Sequence, residues 1–163
     1  MASASEPSYH GLKRPVTVRE ASPADLDDLL RLYHQLANNR DAAAPAPRME
    51  ATQVMDKIGG QAGRHLLVAA IDGHVVGTVD LLIVPNLTRG GASWAMVENV
   101  VVDSGQRRRG IGRALMSDVY QRCQRIGCYK IQLLSNKHRG EAHAFYRSVG
   151  FEAVAEGFRS YLA

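Results

Sequence analysis

Between Glu98 and Met116 the sequence reads ENVVVDSGQRRRGIGRALM. A β-branched run ends at Asp103-Ser104-Gly105. Three arginines follow (Arg107, Arg108 and Arg109), and Gly110-Ile111-Gly112 then opens a helical pattern carrying Arg113. A helix N-terminus presents unpaired N–H groups and the positive end of the helix dipole. Glycines there remove the Cβ atoms that would keep an anion away from that backbone. Arginines at the same turn add charge and fork-shaped donors. Strand, arginine-rich turn and Gly-x-Gly helix start together predict a cradle for phosphate or pyrophosphate. It is not a Walker loop, since no Gly-Lys-Ser/Thr follows, and Leu115 stands where a dinucleotide fingerprint has its third glycine. The alternative reading of these residues is a solvated basic turn with two loose glycines.

Charge distribution points to the same stretch. The chain has 20 Lys/Arg and 16 Asp/Glu, a formal net charge of +4. Ten of those bases and only two acids, Asp118 and Glu141, lie between Ser104 and Arg147, so that segment carries +8 and the remainder −4. A local excess of this kind marks an anion site better than the total does.

The elements that must position the cradle follow from periodicity. Val16 to Glu20 alternates as a strand. Ser22-Pro23-Ala24-Asp25 reads as a helix start, with Ser22 as the capping residue. Leu26, Leu29, Leu30, Tyr33 and Leu36 then form one apolar stripe. Asn38 to Pro47 is an Ala/Pro-rich break, and a weaker helix covers Ala51 to Ile58. His65 to Ile71 and Val75 to Val84 flank Asp72-Gly73, the signature of a two-residue hairpin. Trp94 to Asp103 is a strand, Gly110 to Ile126 a helix closed by Gly127, and Lys130 to Ser135 a strand. Glu141 to Val149 is a helix, and Phe151 to Ala155 and Phe158 to Leu162 are candidate final strands. The order defines an α/β domain built on one sheet.

At 163 residues with 45% hydrophobic and 22% charged residues, the chain has the balance of one globular domain. Residues 1–14 read as a loose tail without the apolar stretch of a secretory signal, and 15–163 as the domain. The longest apolar runs fall far short of the roughly 20 residues of a membrane span, and two cysteines are too few for a disulfide scaffold. A cytoplasmic protein is expected. Cys123 reads as core and Cys128 as a strand-entry residue, rather than as zinc ligands with a nearby histidine, so no metal is expected.

Arg107-x-x-Gly110-x-Gly112, after a strand carrying Glu98-Asn99-Val100-Val101-Val102, resembles the coenzyme A motif of GNAT superfamily N-acetyltransferases. A second block, Lys130 to Phe151 (KIQLLSNKHRGEAHAFYRSVGF), resembles the strand, Asn, helix and Phe-Tyr…Gly-Phe ending of the same superfamily. The resemblance implies one GNAT-like domain with a mixed, mostly antiparallel sheet of six to seven strands and about four helices. It implies acetyl-CoA as co-substrate, with its pantetheine arm between two splayed strands against the backbone of Val100, Val101 and Val102. Arg107, Arg108, Arg109, Gly110, Ile111, Gly112 and Arg113 would hold the pyrophosphate, and Asn136 and Phe145 would line the far side. Tyr146 stands at the family's position for protonating the departing thiolate. Glu98 stands where several members carry a carboxylate that takes the amine's proton. The chemistry agrees: an alkyl ammonium has a pKa near about 10, and only the neutral amine attacks a thioester. The uneventful readings are a solvent-facing Glu98 and a helix-anchoring Tyr146.

The expected reaction is direct acetyl transfer to a primary amine, with a small-molecule acceptor favoured over protein or peptide. Met96–Val102 and Cys128–Ile131 resemble amino-sugar phosphate acetyltransferases. The Ser135–Tyr146 block and Phe158–Leu162 resemble aminoalkylphosphonate acetyltransferases. Either acceptor is anionic, with Arg89, His138 or Arg159 as candidates to recognise it. Aminoglycosides are disfavoured by the few acids in Asp41–Glu50 and Pro85–Trp94. His143 shares a helix face with Tyr146 and reads as a surface residue. A homodimer is compatible with the superfamily. Neither membrane nor nucleic acid is an expected partner, although a basic nucleic-acid-binding module and a CoA-binding sensor are the rival classes.

Overall fold

The computed structural model describes residues 15–38, 44–160 and 162. The predicted tail at 1–14 and residues 39–43 of the Ala/Pro-rich break lie outside them. The chain forms β1 (Thr17–Glu20), α1 (Leu26–Asn38), α2 (Arg48–Gly59), β2 (Arg64–Ile71) and β3 (His74–Val84). It continues with β4 (Trp94–Val102), α3 (Ile111–Ile126), β5 (Ile131–Leu133) and α4 (Gly140–Ser148). One sheet in the order β1-β2-β3-β4-β5 results, antiparallel except for the parallel β4–β5 pair. The hairpin forms as predicted. Asp72 and Gly73 both take positive φ (51° and 81°), as a type I′ turn requires.

The two faces carry different helices. On one, Leu29, Leu32 and Leu36 of α1 pack on Leu66, Val68, Val75 and Val101. On the other, Ile111, Leu115, Met116, Val119 and Cys123 of α3 pack on alternate residues of β2, β3 and β4. Gly77 lets α3 approach, since a Cβ there would lie 3.0 Å from Ile111 Cγ2.

One expectation is corrected. The sheet has five strands rather than six to seven, because neither run after Phe151 becomes a strand among the described residues. Phe151 packs against Tyr120 and Tyr146, but Val154, Phe158 and Leu162 are 80%, 90% and 94% exposed. The chain does pass β5's end, where a Cβ on Gly157 would lie 2.8 Å from Leu134 Cδ2. An alternating pattern forms a strand only where a sheet edge and an apolar face receive it, and neither receives this one.

Ser22 stands at the N-cap as expected and forms a capping box with Asp25, whose buried carboxylate accepts from the Ser22 N–H (2.7 Å), the Ser22 hydroxyl (2.9 Å) and the Arg19 guanidinium. A carboxylate is the stronger acceptor and draws the hydroxyl to itself. These bonds, Arg19's foremost, hold the Asp25 carboxyl down at about 2.

Candidate active site

The centre of the site is a change of direction in β4. Ahead of it, the Ala95 N–H donates to Lys130 O and the Tyr129 N–H to Ser93 O, both at 2.9 Å, so odd-numbered backbone groups face β5. Asp80 lies opposite Glu98, but Thr78 lies opposite Val101, so Asn99 and Val100 together oppose the single residue Val79. This is a β-bulge, and Asn99 carries it in the left-handed region at φ 52°. Beyond the bulge the parity is reversed. Asp103 donates its N–H to Val76 O, and odd-numbered groups now face β3. Val100 and Val102 therefore turn their backbone N–H and C=O groups toward β5's side. Among the described residues no strand meets them there, because the parallel pairing ends at Val97–Leu133. A gap with unpaired strand edge opens where the resemblance expects the splay.

The gap leads to the arginine turn. Asp103 Oδ1 accepts the Gly105 N–H at 2.9 Å, its other oxygen pairs with Arg31 of α1, and Gln35 accepts the Ser104 N–H at 2.9 Å. Burial pushes the Asp103 carboxyl up, but Gly105 and Arg31 outweigh it and hold it below the usual carboxylate range. Arg107, Arg108 and Arg109 are exposed, with Arg108 at φ 60°. Among the described residues nothing engages the side chains of Arg107 or Arg108, whereas Arg109 donates to Gln106 Oε1 at 2.5 Å. Gly110 is the N-cap of α3 at φ 83°, a conformation glycine adopts without strain, and no side chain caps the helix. The first amides of α3 are therefore left to a ligand or to solvent.

Three residues expected to cradle the anion have additional or different work. The Ile111 side chain is buried in the core, leaving only its amide for the turn. Gly112 makes room for a ring, since a Cβ there would lie 3.1 Å from Phe145 Cζ. Arg113 donates to Ser148 O at 3.2 Å, tying the start of α3 to the end of α4.

The far side is built from the β5–α4 connection. Asn136 Oδ1 accepts the His138 N–H at 3.0 Å, shaping an exposed turn before α4. Ser135 Oγ and Arg139 Nη1 are buried without a hydrogen-bond partner among the described residues. Phe145 and Tyr146 follow on α4 with ring centroids 5.4 Å apart. Tyr146 is buried, its ring edge-on to Phe151 at 6.0 Å. Arg89 lies over the Tyr129 ring at 5.6 Å, and His138 and Arg159 are exposed.

Glu98 belongs to the opposite face. Directly paired residues on adjacent strands share a face, so Glu98 sits beside Asp80 on the side covered by α1 and α2. Asp80 is buried and held on both oxygens by Arg64, Nε to Oδ1 at 3.0 Å and Nη2 to Oδ2 at 2.5 Å. Burial foremost, then the Asp80 charge, pushes the neighbouring Tyr33 phenol up to about 12, so Tyr33 stays neutral. A cavity of about 350 Å³ opens above this pair between α1 and α2, and Asn99 of the bulge also lines it.

A family model described as the acetyltransferase (GNAT) family matches residues 26–151. The chain belongs to the GNAT acetyltransferase family. It is 40% identical over 81 residues to glucosamine 6-phosphate N-acetyltransferase of Trypanosoma brucei brucei, a match covering 50% of this chain and 53% of that protein. The GNAT chain thus spans about half the length of that relative. It is 29% identical over 138 residues to aminoglycoside N(6')-acetyltransferase type 1 of Stenotrophomonas maltophilia, covering 83% of this chain and 86% of that one. Among solved structures, an acetyltransferase of Trypanosoma brucei superposes with a TM-score of 0.75 at 31% identity, over 91% of this chain and all (100%) of the other.

Sequence reasoning found the strand, arginine turn and glycine helix start of this GNAT protein but missed its bulge, reading Trp94–Asp103 as an unbroken strand. Asn99 was the available signal, since Asn tolerates positive φ better than the valines after it. It also missed the Arg64–Asp80 pair and the cavity, whose parts come from five separate elements.

Proposed function

We propose that this GNAT protein transfers an acetyl group from acetyl-CoA directly to the primary amine of a small molecule. The observation that carries the proposal is the bulge-turned edge of β4. It presents Val100 and Val102 backbone groups along a gap that runs to the uncapped, glycine-started α3 and its exposed arginines. These residues fit acetyl-CoA. The strand edge suits an extended chain of amides, and the Arg107–Gly112 turn suits a pyrophosphate. The buried polar atoms of Ser135 and Arg139, unpartnered among the described residues, add hydrogen-bonding capacity beside β5. Bound there, acetyl-CoA supplies an acyl group activated as a thioester.

The chain's own residues then divide the work. Glu98, on the face where the cavity opens, accepts the proton that an ammonium must lose before it attacks. The N–H of Val100, turned into the gap, donates to the negative charge developing on the acyl oxygen. Tyr146 donates the proton that the departing sulfur needs. The acceptor class is supported by the relatives named for glucosamine 6-phosphate and aminoglycosides, both small-molecule amines.

The test is release of free CoA thiol by purified protein with acetyl-CoA and a broad panel of amines. Amine-dependent thiol release is expected, with Glu98→Gln slowing it most at low pH, where the amine is largely protonated. Tight acetyl-CoA binding with no release for any amine would make the protein a CoA-binding sensor instead. Salt-sensitive nucleic-acid binding without acetyl-CoA binding would make it a basic binding module.

A further inference from the structure

Resting on the acetyl-transfer reading, we infer that the acceptor is a primary amine with an uncharged, apolar body, seated in the cavity between α1 and α2. Small-molecule sites typically have about 300–1,000 Å³, apolar walls and a few polar groups at one end. This cavity, at about 350 Å³, is walled by side chains such as Leu29, Leu36, Ala51, Met55 and Ile58, with Arg64, Asp80 and Asn99 at its polar end.

The polar end is selective in sign. Among the described residues Arg64 is the one cation in the lining, and its guanidinium is committed to both oxygens of Asp80 and to Gln61 Oε1 at 3.1 Å. A phosphate or phosphonate placed here would lose its water and meet, among the described lining residues, no cation free to replace it. Two carboxylates, Asp80 and Glu98, stand opposite each other on adjacent strands of this face. The bulge residue Asn99 lines the same end, so an amine held there lies beside the strand edge that would carry the thioester. Arg89, His138 and Arg159, the expected readers of an acidic acceptor, are absent from the lining.

The experiment compares 3-methylbutylamine and 3-phenylpropylamine with ethanolamine phosphate and glucosamine 6-phosphate. It measures thiol release with acetyl-CoA and, separately, amine binding by calorimetry. The apolar amines should win by at least 10-fold in kcat/KM, with about three- to fivefold gained per buried methylene along an alkylamine series. Ala51→Leu, which fills the cavity, should weaken binding of 3-phenylpropylamine at least 10-fold. Met55→Ala, which enlarges it, should shift preference toward bulkier amines. Thermal unfolding of each variant reports whether it is folded. Thiol release that favours the phosphorylated amines would overturn the apolar assignment and leave acetyl transfer standing. Binding of 3-phenylpropylamine that is lost in Ala51→Leu, without thiol release for any amine, would support the cavity and overturn acetyl transfer. A wild-type protein that neither binds nor acetylates the apolar amines would overturn the inference.

Discussion

In the gap beside α3, much of the polar chemistry is carried by backbone: the turned edge of Val100 and Val102, the uncapped first turn of α3, and glycines at 110 and 112. On the α1 face it is carried by side chains in opposite-charge pairs: Arg19 with Asp25, Arg31 with Asp28 and Asp103, Arg48 with Asp27, and Arg64 with Asp80. The difference suits two kinds of ligand. A long, flexible, polyanionic co-substrate needs many donors in fixed positions, which backbone supplies without side-chain entropy cost. A small amine needs a shaped apolar hollow with one charged end, which only packed side chains supply. It also shows what each region stands to lose: breaking an ion pair of the α1 face should cost stability first.

The largest stability effect expected is therefore at Arg64. Arg64→Met leaves the buried Asp80 carboxylate without its counter-ion and should cost about 2–3 kcal/mol, lowering Tm on the order of 5–10 °C. Combining it with Asp80→Leu should restore much of that loss, whereas a double variant no better than the single one would show that the pair is not what holds this face. On the gap side, Tyr146→Phe should leave Tm nearly unchanged and lower kcat about 100-fold where chemistry is rate-limiting. An unaltered kcat would remove Tyr146 from the acid role.

Next in size is a pH effect confined to the α1 face. The Asp25 carboxyl lies at about 2 in the folded protein against an ordinary value of 3.8, chiefly through Arg19. A depressed carboxyl adds stability above its unfolded pKa. That contribution, on the order of 2 kcal/mol, is lost as the pH falls from about 4 to about 2. Asp25→Asn should flatten the stability profile across that window, as read by denaturant unfolding. Smallest is Gly110→Ala, which strains a left-handed residue at φ 83° and should cost about 1 kcal/mol while weakening acetyl-CoA binding. Full retention of both would mean that the N-cap geometry is not needed.

The same division explains what was legible beforehand. Glycine spacing and the arginine run are local, so the strand-turn-helix could be read directly from 98 to 116. Apolar periodicity likewise located all four helices, with α2 starting at Arg48 rather than Ala51. The bulge was hidden because it depends on how β3 and β4 register, and only Asn99 hints at it. Arg64 and Asp80 are 16 positions apart and meet only through the β2–β3 hairpin, which no local pattern announces. The last two strands failed for the opposite reason: their local pattern was right, and no sheet edge received it.

The central claim is that co-substrate and acceptor occupy opposite faces that meet at the Asn99 bulge. Methyl and amide NMR with separate titrations of acetyl-CoA and 3-phenylpropylamine tests it most directly. Acetyl-CoA should shift the amides of residues 107–113 and leave the Met55 and Ile58 methyls in place, while the amine should do the reverse. Acetyl-CoA shifts concentrated at Met55 and Ile58, with the 107–113 amides unmoved, would contradict the claim.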